Sequence, residues 1–252
     1  MRALFPLSVL FLLLAGCGPS ENYSDVRTTH VDSQLCTDDQ STSHWPVIPV
    51  TIYVQKVDPK IHNVNGVLID FVEHESIVEG TELAVRAWNN AAGKQLLVFG
   101  GLIDKQQPMK SSDALSDGDL VVYMQSNWND SFISKTPNIL ATAYIYDSCD
   151  GKTIEASDIF LNTQQYYFYD NVKYAGVQDD LRGLAKGQRK IVDAASLIIH
   201  EIGHSLGLGH TPEKSCPESV MIPTLRVDPN YAKRDLAKTD VANIIDLYED
   251  VR

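Results

Sequence analysis

The stretch HEIGHSLGLGH, residues 200–210, constrains this 252-residue chain more than any other part of it. Three of the seven histidines and one glutamate fall inside it. It closes a run, IVDAASLIIHEIGHSLG, in which Ala, Leu and Ile fill most of the remaining positions. The run predicts a helix that is apolar nearly all round and therefore buried. Asp193 is its expected N-cap. On a helix, His200 and His204 project from one face about one turn apart. Gly207 adopts a positive φ at little steric cost, so the helix ends there in a turn that brings His210 back. Buried without partners, these polar side chains would carry a large desolvation cost. Two imidazoles at this spacing bind one Zn²⁺ at about 2.0–2.1 Å, and a third ligand leaves the fourth position open to water, as in catalytic rather than structural sites. Glu201, beside the first ligand, reaches that water without binding the metal. The expectation is one catalytic Zn²⁺ on His200, His204 and His210, with Glu201 as general base.

Residues 1–17, MRALFPLSVLFLLLAGC, read as a targeting segment: Arg2 is followed by an apolar run, Leu4 to Leu14, too short for a typical spanning helix. Its LAGC ending resembles a bacterial lipobox, which makes Cys17 the expected lipidation site. Gly18, rather than Asp, follows it, which favours an outer-membrane or cell-surface anchor in a Gram-negative source. Residues 18–45 are the expected flexible tether and 46–252 the expected catalytic domain. Export exposes cysteines to oxidation. With Cys17 lipidated, Cys36, Cys149 and Cys216 allow at most one intramolecular disulfide, and the three pairings stay open. The net charge of −12 and the lack of a basic run exclude phosphate-backbone binding, so no nucleic-acid partner is expected. The membrane is expected as a partner only through the lipid anchor, and the protein is expected to be a monomer.

Strands are expected at VTIYVQK (50–56), VLIDFV (67–72), DLVVYMQ (119–125), ILATAYIY (139–146) and TIEASDIFLN (153–162). A helix is expected over Thr81 to Ala92, with Thr81 as N-cap and Gly93 as stop. Residues 163–189 read as a polar, tyrosine-rich excursion from the core. A last helix, AKTDVANIIDLYED, places Ala237, Val241, Ile244, Ile245 and Tyr248 on one stripe.

HEIGHSLGLGH is similar to the metzincin zinc signature, and SVM at 219–221 looks like the Met-turn that follows it. The order AVRAWNNA, GDLVVYM, LATAY, ASDIFLN, zinc helix, Met-turn and TDVANIIDLY resembles the matrixin-like branch across roughly residues 46–250. The resemblance implies an α+β fold, a twisted mixed sheet with a few long helices. It implies that His200, His204 and His210 are ligands, Glu201 the general base and Met221 the hydrophobic floor beneath the metal. The implied reaction is peptide-bond hydrolysis, with zinc activating a water and Glu201 carrying its proton to the leaving amine. A protein or peptide substrate is expected to lie along the edge strand at Leu140, Ala141, Thr142, Ala143 and Tyr144 by β-augmentation. Ile199, Pro223 and Leu225 are the expected wall of the primary pocket, favouring apolar residues after the cleaved bond.

Thr142 stands where matrixins often have a histidine for a second, structural zinc, so that ion is not expected. Thr211 stands where they usually have serine. Cys36, in QLCTDD, reads either as a thiolate cap on the zinc or as a disulfide partner or free thiol. Asp147, Asp150, Glu155 and Asp158 around Gly151 read either as a Ca²⁺ loop or as a solvated turn. Two other functions fit the motif: a non-catalytic surface lipoprotein that binds a partner, and a zinc amidase acting on cell-wall peptide. Glu201 argues against the first, since a binding module has no use for a general base.

Overall fold

Alternating branched and aromatic residues make VTIYVQ a strand, β1 (Val50–Gln55), with Val50, Ile52 and Val54 turned to the core. The computed structural model describes residues 43–57, 63–64, 67–108, 119–131, 137–148, 150–175 and 189–251. The expected leader, Cys17, Cys36 and all but the last three residues of the tether lie outside them.

After β1 come the two-residue strands β2 (Asn63–Val64) and β3 (Val67–Leu68), then a long helix α1 (Ile69–Ala92). The strand expected over 67–72 is therefore only its first two residues, and the helix begins twelve residues before Thr81. Thr81 is not a cap: it is fully buried, and its hydroxyl donates to Ile77 O at 2.8 Å, the bond threonine makes inside a helix. Gly93 ends the helix as expected, at φ +65°.

Four further strands complete the sheet: β4 (Leu97–Ile103), β5 (Leu120–Met124), β6 (Ala141–Asp147) and β7 (Ile154–Leu161). Their order is β4-β1-β5-β7-β6, with the first three pairings parallel and β6 antiparallel at one edge. β4 escapes the sequence pattern because its Gly100-Gly101 pair reads as a break. The register shifts there, and a Cβ on Gly100 would stand 2.3 Å from the Tyr53 ring.

The tyrosine-rich stretch is less of an excursion than its composition implies. Tyr166–Tyr169 form β8, paired in parallel with β9 (Lys190–Asp193), and Tyr166, Phe168 and Tyr169 are buried. Ile191 and Val192 thus belong to a strand, and α2 (Ala194–Ser205) starts directly after it. The last helix is α3 (Lys238–Tyr248). Ile244 and Tyr248 are buried in it while Ile245 is 47% exposed, so the apolar stripe is narrower than expected.

The main core fills the space between sheet and helices, from Ile52, Val54, Ile159 and Leu161 to Trp88, Ile198 and Ile202. A smaller cluster of Val121, Tyr123, Trp128 and Phe160 forms separately. Cys216 is disulfide-bonded, to a partner outside the described residues. No helix among the described residues is long and apolar enough to cross a membrane.

Candidate metal centre

Asp193 caps α2 as its sequence predicts, its carboxylate accepting from Ser196 N at 3.0 Å. His200 and His204 leave consecutive turns of the helix. The helix ends at Gly207, whose φ is +98° and whose N–H donates to His204 O at 2.8 Å. A Cβ there would stand 2.0 Å from Ser43 O, so both backbone conformation and space demand glycine. The reversed chain then returns His210.

The three imidazoles converge through one edge. His204 Nε2 lies 3.0 Å from His200 Nε2 and 3.1 Å from His210 Nε2. The first of these is not a hydrogen bond, because both rings carry their proton on Nδ1. His200 Nδ1 donates to Val220 O and His204 Nδ1 to Leu208 O, each at 2.8 Å. A neutral imidazole whose Nδ1 carries the proton offers only a lone pair at Nε2. Burial, the largest cause, holds His200 down to about 4 and His204 well below its ordinary value, so both are neutral at pH 7. Converging lone pairs repel unless a cation sits among them. Tetrahedral zinc with bonds of about 2.0–2.1 Å separates its nitrogens by about 3.3 Å, a few tenths from the spacing here, so the donor set fits Zn²⁺. The three histidines are also the one group among the described residues able to hold a metal ion.

Glu201 is 5% exposed, and burial pushes its carboxyl up to about 8, partly offset by the Ala143 N–H that donates to it. That contact joins the zinc helix to β6. Leu140 O accepts from Asn162 N at 2.9 Å, so the backbone of Leu140, Thr142 and Tyr144 faces β7. By strand alternation Ala141, Ala143 and Ile145 turn N–H and C=O to the free edge, in agreement with Ala143 meeting Glu201. The stretch expected to hold substrate therefore divides by alternation between ladder and open edge.

Met221, 1% exposed, lies against α2 between the two histidine turns. A Cβ on Gly203 would stand 2.4 Å from Met221 Sδ and 2.9 Å from Trp88 Cζ2. Trp88 in turn donates from Nε1 to Ile199 O at 2.9 Å. Sequence reasoning missed Gly203 and Trp88; the available signal was a glycine inside a buried helix, which usually has a packing reason. It also missed Asp240. This buried carboxylate accepts from Val220 N at 3.0 Å, Ala237 N at 2.8 Å and the Ser219 hydroxyl, so α3 fixes the carbonyl that orients His200. Thr211 replaces serine without loss of function as a hydroxyl: it donates to Ser219 Oγ at 2.7 Å, and its N–H to Met221 O at 2.9 Å.

Of the expected pocket wall, Ile199 is fully buried in the core, Leu225 is half-buried against it and Pro223 is exposed. In the acidic loop, Asp150 accepts from Ser148 Oγ at 2.6 Å and Lys152 N at 3.2 Å, which closes a turn. Asp158 is buried and accepts from Val121 N at 3.1 Å, while Glu155 is exposed.

Three converging histidines on a helix and its returning turn, a methionine packed against that helix, and the antiparallel edge of a mixed sheet define a metzincin-like metal centre. The chain matches the Matrixin family over residues 106–249, and it belongs to that family. Metalloendoproteinase 1-MMP of Arabidopsis thaliana is 46% identical over 72 residues, 29% of this chain and 18% of that protein. Metalloendoproteinase 2-MMP of the same plant is 47% identical over 57 residues, 23% of this chain and 14% of its own length. The chain thus spans less than a fifth of each of these relatives. Among solved structures it is similar to the GM1-bound form of the ECX AB5 holotoxin, at 14% identity and a TM-score of 0.39, covering 79% of this chain and 80% of that one.

Proposed function

We propose that this protein is a zinc-dependent endopeptidase. The observation that carries the reading is the convergence of three Nε2 atoms whose neighbouring Nδ1 protons, on His200 and His204, are committed to carbonyls. When bound there, zinc supplies Lewis acidity, which lowers the pKa of a water towards about 7 and polarises a carbonyl. Glu201 stands on the next residue of the same helix and serves as the base that accepts the water's proton and delivers it to the leaving amine. Burial holds this carboxyl protonated in the metal-free site, and a cation beside it favours the carboxylate, the form that accepts the proton. Ala141 and Ile145 offer their outward N–H and C=O groups, and Ala143 its carbonyl, to which an extended peptide adds as a further strand. Met221 keeps water out beneath the histidines.

The chain is proposed to work outside the cell, held to a membrane by lipid on Cys17. Support comes from the apolar segment ending in LAGC. Replacing Cys17 by Ser is expected to move the protein from the membrane to the soluble fraction; an unchanged distribution would count against the anchor.

The test of the enzymatic reading takes the chain without its first 17 residues, measures bound zinc, and compares cleavage of a random peptide library with that by Glu201→Gln. Zinc at one per chain, with cleavage at least a hundredfold slower in the variant, is expected. Absence of zinc or equal cleavage by both proteins overturns the proposal, and zinc without cleavage by either returns the protein to a binding role.

A further inference from the structure

A helix leaves its last carbonyls without intrahelical donors, and a buried helix end must find donors elsewhere. At the end of α2 three of them are met locally: Ile202 O and Gly203 O by Leu206 N, and His204 O by Gly207 N. The next two, Ser205 O and Leu206 O, meet no backbone N–H among the described residues. Each takes a side-chain donor from a distant part of the chain. Trp45 Nε1 donates to Ser205 O at 2.7 Å, across 160 residues, and Tyr248 OH donates to Leu206 O at 2.9 Å, across 42. Trp45 N donates to the same tyrosine oxygen at 3.3 Å, which ties the two caps together.

All four residues are buried, so water has little access to replace either donor. The two capped carbonyls belong to the peptide groups between His204 and the Gly207 turn. That turn carries Leu208, whose carbonyl fixes the His204 ring, and leads directly to His210. A Cβ on Gly207 would stand 2.0 Å from Ser43 O, so the chain entering the domain lies against the turn.

We infer that Trp45 and Tyr248 are positioning residues of the metal centre: by capping the zinc helix they hold the turn that sets the spacing of His204 and His210. Neither residue touches the histidines' nitrogens, and their effect passes through the Leu206–Leu208 backbone. It follows that metal affinity depends on how the segment entering the domain, Ser43 to Trp45, is seated. The inference rests on the zinc reading proposed above.

The experiment measures zinc affinity by chelator competition, at a temperature where every protein compared is folded. The variants are Tyr248→Phe, which removes one oxygen, and Trp45→Phe, with Val121→Ala as a control destabilised in the separate cluster. General destabilisation leaves the affinity of the folded protein unchanged, whereas a displaced ligand lowers it. Zinc binding about tenfold weaker in both Phe variants is expected, the range seen when groups that orient metal ligands are removed. The control should stay within about twofold of the parent, and the zinc concentration that half-activates cleavage should rise by the same factor as the affinity falls. If Trp45→Phe does not fold, Tyr248→Phe decides alone. A Tyr248→Phe protein that melts lower yet binds zinc like the parent overturns the inference. A parent chain without zinc overturns the zinc reading instead, so the two failures are distinct.

Discussion

Glu201 gives the most exacting test, because its burial ties the stability of the metal-free protein to pH. Its carboxyl has an ordinary value of 4.5 and is pushed up to about 8 in the fold. Between those values the folded protein holds a proton that the unfolded chain has released. Stability from this group is therefore complete below about pH 4.5 and is lost as pH rises to about 8, at about 1.4 kcal/mol for each pH unit. The full span gives a ceiling of about 5 kcal/mol, and water entering the site on ionisation brings the expected figure to about 2–4 kcal/mol. Gln has nearly the same shape and no proton to lose.

The metal-free Glu201→Gln protein should match the parent at pH 4.5 and exceed it by that amount at pH 8.5, as read from urea midpoints at constant m. His200, held down to about 4, acts in the opposite direction. Its contribution is lost as pH falls from about 6.5 towards 4, but it is common to both proteins and largely cancels in the difference. Bound zinc should shrink the gap, since the cation favours the carboxylate. A difference that is flat from pH 5 to 9 would refute the view that Glu201 lies desolvated beside the edge strand.

Three other outcomes follow from the packing. Gly207→Ala places a Cβ at φ +98° and 2.0 Å from Ser43 O, so it should cost about 3 kcal/mol or more in urea unfolding and release zinc. Gly203→Ala would gain about 1 kcal/mol from helix propensity on an open surface, yet here it should lose about 1–2 kcal/mol by pushing on Met221 and Trp88; a more stable variant speaks against that contact. Arg234 donates to Asp193 at 2.5 and 2.9 Å and to Asp170 at 2.6 Å. Arg234→Met, which leaves the buried Asp193 without its cation, should cost about 3–5 kcal/mol, against under about 0.5 kcal/mol for Arg86→Met, whose pair with Glu82 is exposed.

The candidate site is written in local residue patterns. Ligand spacing on a helix is a matter of 3.6-residue periodicity, and the turn that returns His210 needs a residue free to take positive φ, so His200, Glu201, His204, Gly207 and the Asp193 cap were legible as local rules. The strands β1, β5, β6 and β7 were legible for the same reason, each carrying its own pattern of branched and aromatic residues. Tertiary structure decided what has no local signature. The first four residues of α1, 69–72, read as strand by composition, yet they belong to the helix. β4 hides behind two glycines, Gly100 required by the neighbouring Tyr53 ring and Gly101 by its φ of +87°. Which carbonyl orients His200, which backbone groups of β6 face the free edge, and that Trp45 and Tyr248 cap the zinc helix all depend on partners 20 to 203 residues apart. Pairings at such separations are set by the whole core, and no window of sequence contains both members.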